Sequence, residues 1–207
     1  MTFSRFPLES AELALAKTRR LNKRGIMKRL SSLLVLLATW TGAADEPCKS
    51  GLKPNQRPGP YSSLVAVGPQ RGQSHCFICE AGDKPMIIVF ARSLSEPLGK
   101  LVQKLDRAVS DHKAADIRAW VTFLADDQTS FDPKVVDWAK KNGVGNVPLG
   151  VFEDTVGPPT YLLSAEADVT ILLAVKQKVA VNYAFRKGEL TDQAIAAIIT
   201  AVPKIAK

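Results

Sequence analysis

The stretch Met86-Ile87-Ile88-Val89-Phe90-Ala91 decides the fold class of this chain of 207 residues. It is a continuous apolar run, with Asp83-Lys84-Pro85 before it and polar residues from Arg92 onward after it. A short, uninterrupted apolar run between turn-forming residues is typical of a strand buried on both faces, as in parallel sheets. The run therefore predicts the central strand of an α/β protein.

The segments after this strand alternate between helical and extended patterns. Ser93-Leu94-Ser95-Glu96 has the spacing of a capping box, which predicts that a helix starts there, and Asp132 followed by Pro133 predicts a second helix start. Three polar residues separate the last two strands, as in an antiparallel hairpin. The predicted elements are a helix over 93–111, strands at 117–125 and 147–152, a helix over 132–142, a loop over 155–168, strands at 169–175 and 179–185, and a helix capped by Thr191.

The segments before the central strand predict an N-terminal β-hairpin. Residues 63–67 form a strand candidate, 68–72 a turn, and 75–79 the return strand. Residues 45–62 are rich in proline and glycine and predict an extended lead-in. Strand–helix alternation that ends in a hairpin and a helix predicts a mixed sheet flanked by helices on both faces.

The first 44 residues have the pattern of a secretory leader. Lys28-Arg29 precede an apolar run over 30–41, and Gly42-Ala43-Ala44 follow it. The run is short for a membrane span, which takes about 20 residues. We therefore expect cleavage near Ala44 and an exported protein, periplasmic or secreted, with a lead-in at 45–62 and one domain at 63–207. The long segment before Lys28 points to Met27 as the true start.

The excess of positive charge belongs to this leader. Residues 1–44 hold 8 of the 28 Lys and Arg and 2 of the 20 Asp and Glu, so residues 45–207 carry 20 positive and 18 negative side chains. Such a balance does not favour nucleic acid as a partner.

Cys76-Phe77-Ile78-Cys79 is the motif with the clearest chemistry. A Cys-x-x-Cys pair in an exported chain points to a redox pair, because two nearby thiols form a disulfide and His75 favours the thiolate when it is protonated. A regular strand over 75–79 would separate the two Cα atoms by about 10 Å, whereas a disulfide needs about 4.4–6.8 Å. The redox interpretation therefore requires a turn or a helical turn at Phe77-Ile78.

Two other interpretations of the cysteines stay open. Cys48 could pair with Cys76 or Cys79 and fasten the lead-in to the domain, as exported compartments favour. A metal site could instead combine the three cysteines with His75 or His112, although a second compact ligand pair is missing. A c-type haem site would need a histidine after Cys79, where Glu80 stands. A lipid-modified cysteine needs small and apolar residues directly before it, and Asp45-Glu46-Pro47 do not fit that pattern, so we do not expect a lipid anchor on Cys48.

The order of elements resembles the thioredoxin fold, in its thioredoxin-like/peroxiredoxin (redoxin) branch, over residues 62–203. Lys84-Pro85 with the central strand is similar to the family's Gly-Lys-Pro-apolar strand, and Val147-Pro148-Leu149-Gly150-Val151 resembles the strand that redoxins add. The resemblance implies an α/β thioredoxin-like mixed sheet and a thiol or disulfide of a protein as partner. It implies no cofactor.

The position at which this family carries its catalytic cysteine is degenerate here. The residues after the central strand are Arg92, Ser93, Leu94 and Ser95, and a serine hydroxyl cannot replace a thiolate in disulfide exchange. Val169 stands where thioredoxins have a cis-proline. Arg92 is a candidate anion-binding residue beside the predicted helix start. Three functions remain from the sequence: redox exchange through Cys76 and Cys79, a non-catalytic binding or structural domain, or the Cys/His metal site.

Overall fold

A computed structural model describes residues 46–206, which form one compact unit. Its strands are β1 (Ser63–Val67), β2 (Ser74–His75), β3 (Met86–Ala91), β4 (Arg118–Leu124), β5 (Leu149–Phe152), β6 (Val169–Val175) and β7 (Lys178–Phe185). Its α-helices are α1 (Phe77–Ala81), α2 (Glu96–Asp111), α3 (Gln128–Lys141) and α4 (Asp192–Ala201), with 3₁₀ helices at Lys113–Ala115, Pro159–Tyr161 and Val202–Lys204. In this part of the chain, no helix is both long and apolar enough to cross a membrane.

The seven strands form one mixed sheet in the order β2-β1-β5-β4-β3-β6-β7. β3 pairs with β4 in parallel and with β6 antiparallel, and all six of its residues are buried. The predicted central strand is therefore confirmed. The hairpin of β6 and β7 and the helix that Thr191 caps are confirmed as well.

Alternate residues of β3 point to two separate hydrophobic clusters, as the period of two in a strand requires. Ile87, Val89 and Ala91 pack with α2, α3 and α4, and this layer holds Trp138. Met86, Ile88 and Phe90 belong to the other cluster, which α1, the 3₁₀ turn at Tyr161 and the lead-in cover. The sheet is thus flanked on both faces, with the three long helices on one of them.

The lead-in contains no helix or strand over residues 46–62, but it packs into the domain. Leu52 and Tyr61 are buried in the second cluster. Asn182 Nδ2 donates hydrogen bonds to the carbonyl oxygens of Ser50 and Leu52, each over 2.8 Å. Gly51 has φ +86°, and a Cβ there would lie 2.7 Å from Thr170 Cγ2, so this close approach requires glycine.

Two predicted helix starts are wrong. α2 begins at Glu96 with Ser95 as its N-cap, because the Ser95 side chain accepts from Leu98 N, whereas Ser93 is outside the helix. α3 begins at Gln128, because Asp127 Oδ1 accepts a hydrogen bond from Ser130 N over 3.1 Å. Asp132 lies inside α3 and pairs with Arg71 instead.

Candidate functional site

The predicted return strand over 75–79 is wrong beyond His75, because α1 begins at Phe77. Cys76 has an extended backbone (φ −102°, ψ 92°) and caps the helix, with its Sγ accepting a hydrogen bond from Cys79 N over 3.2 Å. Phe77, Ile78 and Ala81 are buried. A helical turn places these three on one side, whereas a strand would direct Phe77 and Ile78 to opposite faces.

This helical turn brings the two cysteines of the motif together. Cys76 and Cys79 form a disulfide with a Cα–Cα distance of 5.3 Å, within the range of about 4.4–6.8 Å that such bonds need. The geometric condition for the redox interpretation is therefore met. Cys79 is exposed and Cys76 is half-buried.

A chain of polar and charged side chains joins α1 to the strands beside it. His75 Nε2 lies 2.7 Å from Glu80 Oε2, and Glu80 Oε1 lies 3.8 Å from Arg118 Nη1. Asp116 joins this chain through Arg118 Nη2 at 3.3 Å and Lys84 Nζ at 2.6 Å. These ion pairs connect β2, α1 and the starts of β3 and β4, so they hold α1 in place at the protein surface.

Aromatic rings pack against the buried side of the same helix. The Phe77 ring lies nearly parallel to the Trp120 ring with centroids 5.5 Å apart, and the His75 ring meets the Phe77 ring edge-on at 4.7 Å. Trp120 is 1% exposed, and its Nε1 donates to Tyr61 Oη over 2.9 Å. Trp120 and Trp138 are both buried in the core.

A cavity of about 230 Å³ opens beside α1, at the amino ends of β4 and β5. Side chains from α1, α2 and these strand ends line it, including Phe77, Glu80, Val109, Arg118, Trp120 and Pro148. Asp106 is at its wall and accepts from Val147 N over 2.8 Å. Burial raises the pKa of the Asp106 carboxyl, and hydrogen bonds from the backbone of Val147, Asn146 and Gly145 partly offset that rise.

Cys48 does not pair with either cysteine of the motif and is a free thiol. Its neighbours in the structure include Arg186, Glu189 and Glu166, and burial is the largest cause of the raised pKa of its thiol. The lead-in docks on β6 and β7, whereas Cys76 follows β2 at the other edge of the sheet. The fastening disulfide from Cys48 is therefore a wrong expectation, because Cys76 and Cys79 bond to each other and Cys48 lies toward the opposite edge of the sheet.

The metal interpretation receives no support from the geometry. Cys76 and Cys79 are bonded to each other, and within residues 46–206 no group of three or more His, Cys, Asp or Glu side chains is arranged to hold a metal. His112 is the C-cap residue of α2, with Nδ1 2.8 Å from Ala108 O.

Thioredoxins and peroxiredoxins carry their catalytic cysteine directly after the central strand. In this chain the residues at that position form hydrogen bonds within the protein. Ser93 Oγ donates to Asp168 Oδ2 over 2.8 Å, and Arg92 N donates to Asp168 O over 2.9 Å. Val169 pairs with Ala91, so it lies beside the end of β3 as its match to the cis-proline position predicts. No peptide bond among the described residues is cis. Ser95 caps α2, and its carbonyl accepts from Trp138 Nε1 over 3.3 Å.

Arg92 is neither an anion site nor a surface residue without specific contacts. Its Nε donates to Ala167 O over 2.9 Å and its Nη2 to Ser164 O over 3.1 Å, while Nη1 donates to Thr155 O. Burial lowers the pKa of this guanidinium. The arginine therefore holds the loop between β5 and β6. The sequence carries no signal for this role, because the acceptors are backbone carbonyls of a loop without periodicity.

Solved structures of other proteins share this architecture. A candidate protein disulfide isomerase from Bacteroides thetaiotaomicron is 16% identical, with a TM-score of 0.57 over 77% of this chain and 94% of that one. A candidate thiol:disulfide interchange protein DsbE from Chlorobium tepidum is 12% identical, with a TM-score of 0.53 over 73% and 99%. Peroxidoxin BcpB from Mycobacterium tuberculosis is 13% identical, with a TM-score of 0.51 over 74% and 97%.

Neither the protein-family models nor the curated proteins include a match to this chain. Identities of 12–16% establish similarity of architecture only. The seven-stranded mixed sheet, its flanking helices and these structural neighbours agree. This chain therefore has a thioredoxin-like fold.

Proposed function

We propose that this protein is an exported thiol–disulfide exchange protein whose active pair is Cys76 and Cys79. The observation that carries the proposal is the disulfide at the start of α1, with Cys79 exposed at the surface. The pair lies in a helical turn that places the two Cα atoms 5.3 Å apart, so we expect the bond to open and close without a change in the fold.

The surroundings of the pair favour reversible chemistry. Cys79 N donates to Cys76 Sγ, and a hydrogen bond to a sulfur becomes stronger when that sulfur is a thiolate. His75 precedes the pair and contacts Glu80 within α1. A thiolate stabilised in this way is a better leaving group, which speeds thiol–disulfide exchange.

The proposal also includes the compartment in which the protein acts and the class of its partner. The leader pattern over 1–44 lies outside the described residues, and we propose that cleavage near Ala44 releases the domain into an oxidising compartment, where such a bond persists. The partner we propose is a protein thiol or disulfide. N-terminal sequencing of the protein recovered from cell extract tests the cleavage, and a mature chain that keeps residues 28–44 would contradict it.

A redox titration tests the activity. In a Cys48→Ser background, the protein is equilibrated in glutathione buffers and its free thiols are counted. We expect two thiols that titrate together, at a potential between about −270 and −120 mV, the range of exchange proteins. A potential below about −300 mV would identify a structural bond and contradict the proposal. Cys76→Ser and Cys79→Ser should each abolish the two-electron transition.

One observation favours a second candidate, a non-catalytic binding or structural domain. Ser93 lies where the resemblance places a catalytic cysteine, and its hydroxyl is engaged in a hydrogen bond to Asp168. This candidate predicts that the disulfide resists glutathione and that an insulin-reduction assay gives no turnover. The same titration therefore separates the two functions.

A further inference from the structure

We propose that Cys79, rather than Cys76, is the sulfur that a partner thiol attacks. This assignment rests on the proposed function, because it names the order of events within the same disulfide. It is carried by the unequal exposure of the two cysteines and by the hydrogen bond that joins them.

The orientation of α1 determines which sulfur a partner reaches. The buried side of the helix contains Phe77, Ile78 and Ala81. Because successive residues turn by about 100°, Cys79 projects away from that side, together with Glu80. Cys79 and Glu80 are both exposed. Cys76 is half-buried and packs against the hydrophobic cluster that holds Trp120 and Met86.

The hydrogen bond within the pair determines which sulfur leaves. The amide N–H of Cys79 donates to Cys76 Sγ over 3.2 Å. If Cys79 is attacked, the negative charge develops on Cys76, where this donor already points. If Cys76 is attacked, the charge develops on Cys79, for which the described structure contains no hydrogen bond to the sulfur. Exchange is faster when the leaving thiolate is the more stable one.

The proposed exchange takes place in two steps. A partner thiolate attacks Cys79 Sγ and forms a mixed disulfide, while the Cys76–Cys79 bond breaks and its electron pair passes to Cys76 as a thiolate. A second partner thiolate then attacks the partner's sulfur in the mixed disulfide and releases Cys79. Two partner thiols are oxidised to a disulfide, and the protein's disulfide is reduced to two thiols, with the two protons passing to solvent or to the new thiolates.

Trapping the first intermediate tests the assignment. Oxidised protein with Cys48→Ser is mixed with glutathione, quenched with acid after short intervals, alkylated with iodoacetamide and sequenced by tandem mass spectrometry. We expect glutathione on Cys79 and the alkyl group on Cys76, with at least about tenfold more of this species than of the reverse one. Equal amounts, or glutathione mainly on Cys76, would overturn the assignment and leave the proposed function intact. No mixed disulfide at any glutathione concentration would instead contradict the proposed function.

Single-cysteine variants supply an independent measurement. In the same background, Cys76→Ser leaves only Cys79, and Cys79→Ser leaves only Cys76. With glutathione disulfide as the probe, at a pH at which both thiols are fully ionised, we expect the Cys76→Ser protein to be glutathionylated at least about tenfold faster, because its sulfur is accessible and the difference in thiolate fraction no longer contributes. Equal rates, or a faster Cys79→Ser protein, would overturn the assignment. Tryptophan fluorescence, to which the buried Trp120 and Trp138 both contribute, confirms that each variant is folded before rates are compared.

Discussion

Ser93 Oγ and Asp168 Oδ2 lie 2.8 Å apart and are joined by a hydrogen bond across the end of β3. Asp168 also accepts Arg92 N through its backbone carbonyl. Two bonds thus connect the residues after β3 to the residue before β6, at the place where the resemblance predicts a reactive cysteine. The position therefore contributes to the stability of the fold, and the redox chemistry that we propose belongs to Cys76 and Cys79 instead.

Removing the Ser93 hydroxyl should affect stability and leave exchange unchanged. We expect Ser93→Ala to lower the free energy of unfolding by about 1–2 kcal/mol, because Asp168 loses a partner in a partly buried place. Urea denaturation measures the loss, and glutathione exchange at the disulfide measures the activity. Ser62→Ala, at an exposed lead-in serine, is the control and should change neither. A fall in the exchange rate with Ser93→Ala would mean that this position takes part in the chemistry.

Arg92 should be far more important for stability than an arginine in a surface ion pair. Arg92→Met leaves three carbonyl oxygens without their donor, so we expect a loss of about 2–4 kcal/mol. Hydrogen exchange should become faster over residues 155–168. The matched control is Arg71→Met, which removes the two bonds to Asp132 over 2.6 and 2.7 Å and a long one to Val65 O over 3.4 Å, and should cost about 0–1 kcal/mol. Equal losses in urea denaturation would contradict the proposed role in holding the loop.

How far the sequence predicts this structure depends on whether a pattern is local. The hairpin of β6 and β7 and the cap at Thr191 follow from neighbouring residues, and both were predictable. The start of α3 was not, because Asp127 and Asp132 are both good N-caps and only tertiary contact assigns Asp132 to Arg71.

The candidate site likewise combines features that a local pattern predicts with features that depend on long-range contacts. The Cys76–Cys79 spacing identified the pair, and the distance argument identified the bend it needs. That α1 forms this bend depends on burying Phe77 and Ile78 together against Trp120, a long-range contact. The role of Asp168 was missed for a similar reason, since it partners a serine 75 positions earlier in the chain.

Reduction of the disulfide should leave the protein folded. In the chain-entropy model, a bond that closes a loop of about four residues contributes only about 2 kcal/mol. We therefore expect the reduced protein to unfold at a slightly lower urea concentration and to keep its circular dichroism spectrum. Cys48→Ser, which does not change the pair, is the control and should unfold as the wild type does in both redox states. Loss of the folded state on reduction would show that the bond is structural and would rule out a reversible cycle.

Buried tyrosines should make the protein lose stability at alkaline pH. Tyr61 is hydrogen-bonded to Thr122 over 2.8 Å and to Trp120 over 2.9 Å. Burial raises its pKa to about 12, and the two hydrogen bonds only partly offset this rise. Burial also raises the pKa of Tyr161, with the nearby Tyr61 as a smaller cause. An unfolded tyrosine ionises near pH 10.

The unfolded state therefore releases the Tyr61 proton at lower pH than the folded state does. The contribution of Tyr61 to stability is fully present below pH 10 and is lost as the pH rises from about 10 to about 12, at about 1.4 kcal/mol per pH unit. Urea denaturation at pH 8 and pH 11 measures the difference. Tyr61→Phe should be less stable at pH 8, since Trp120 and Thr122 lose their partner, but its further loss at pH 11 should be smaller than that of the wild type. An equal loss in both proteins would show that Tyr61 does not couple folding to alkaline pH.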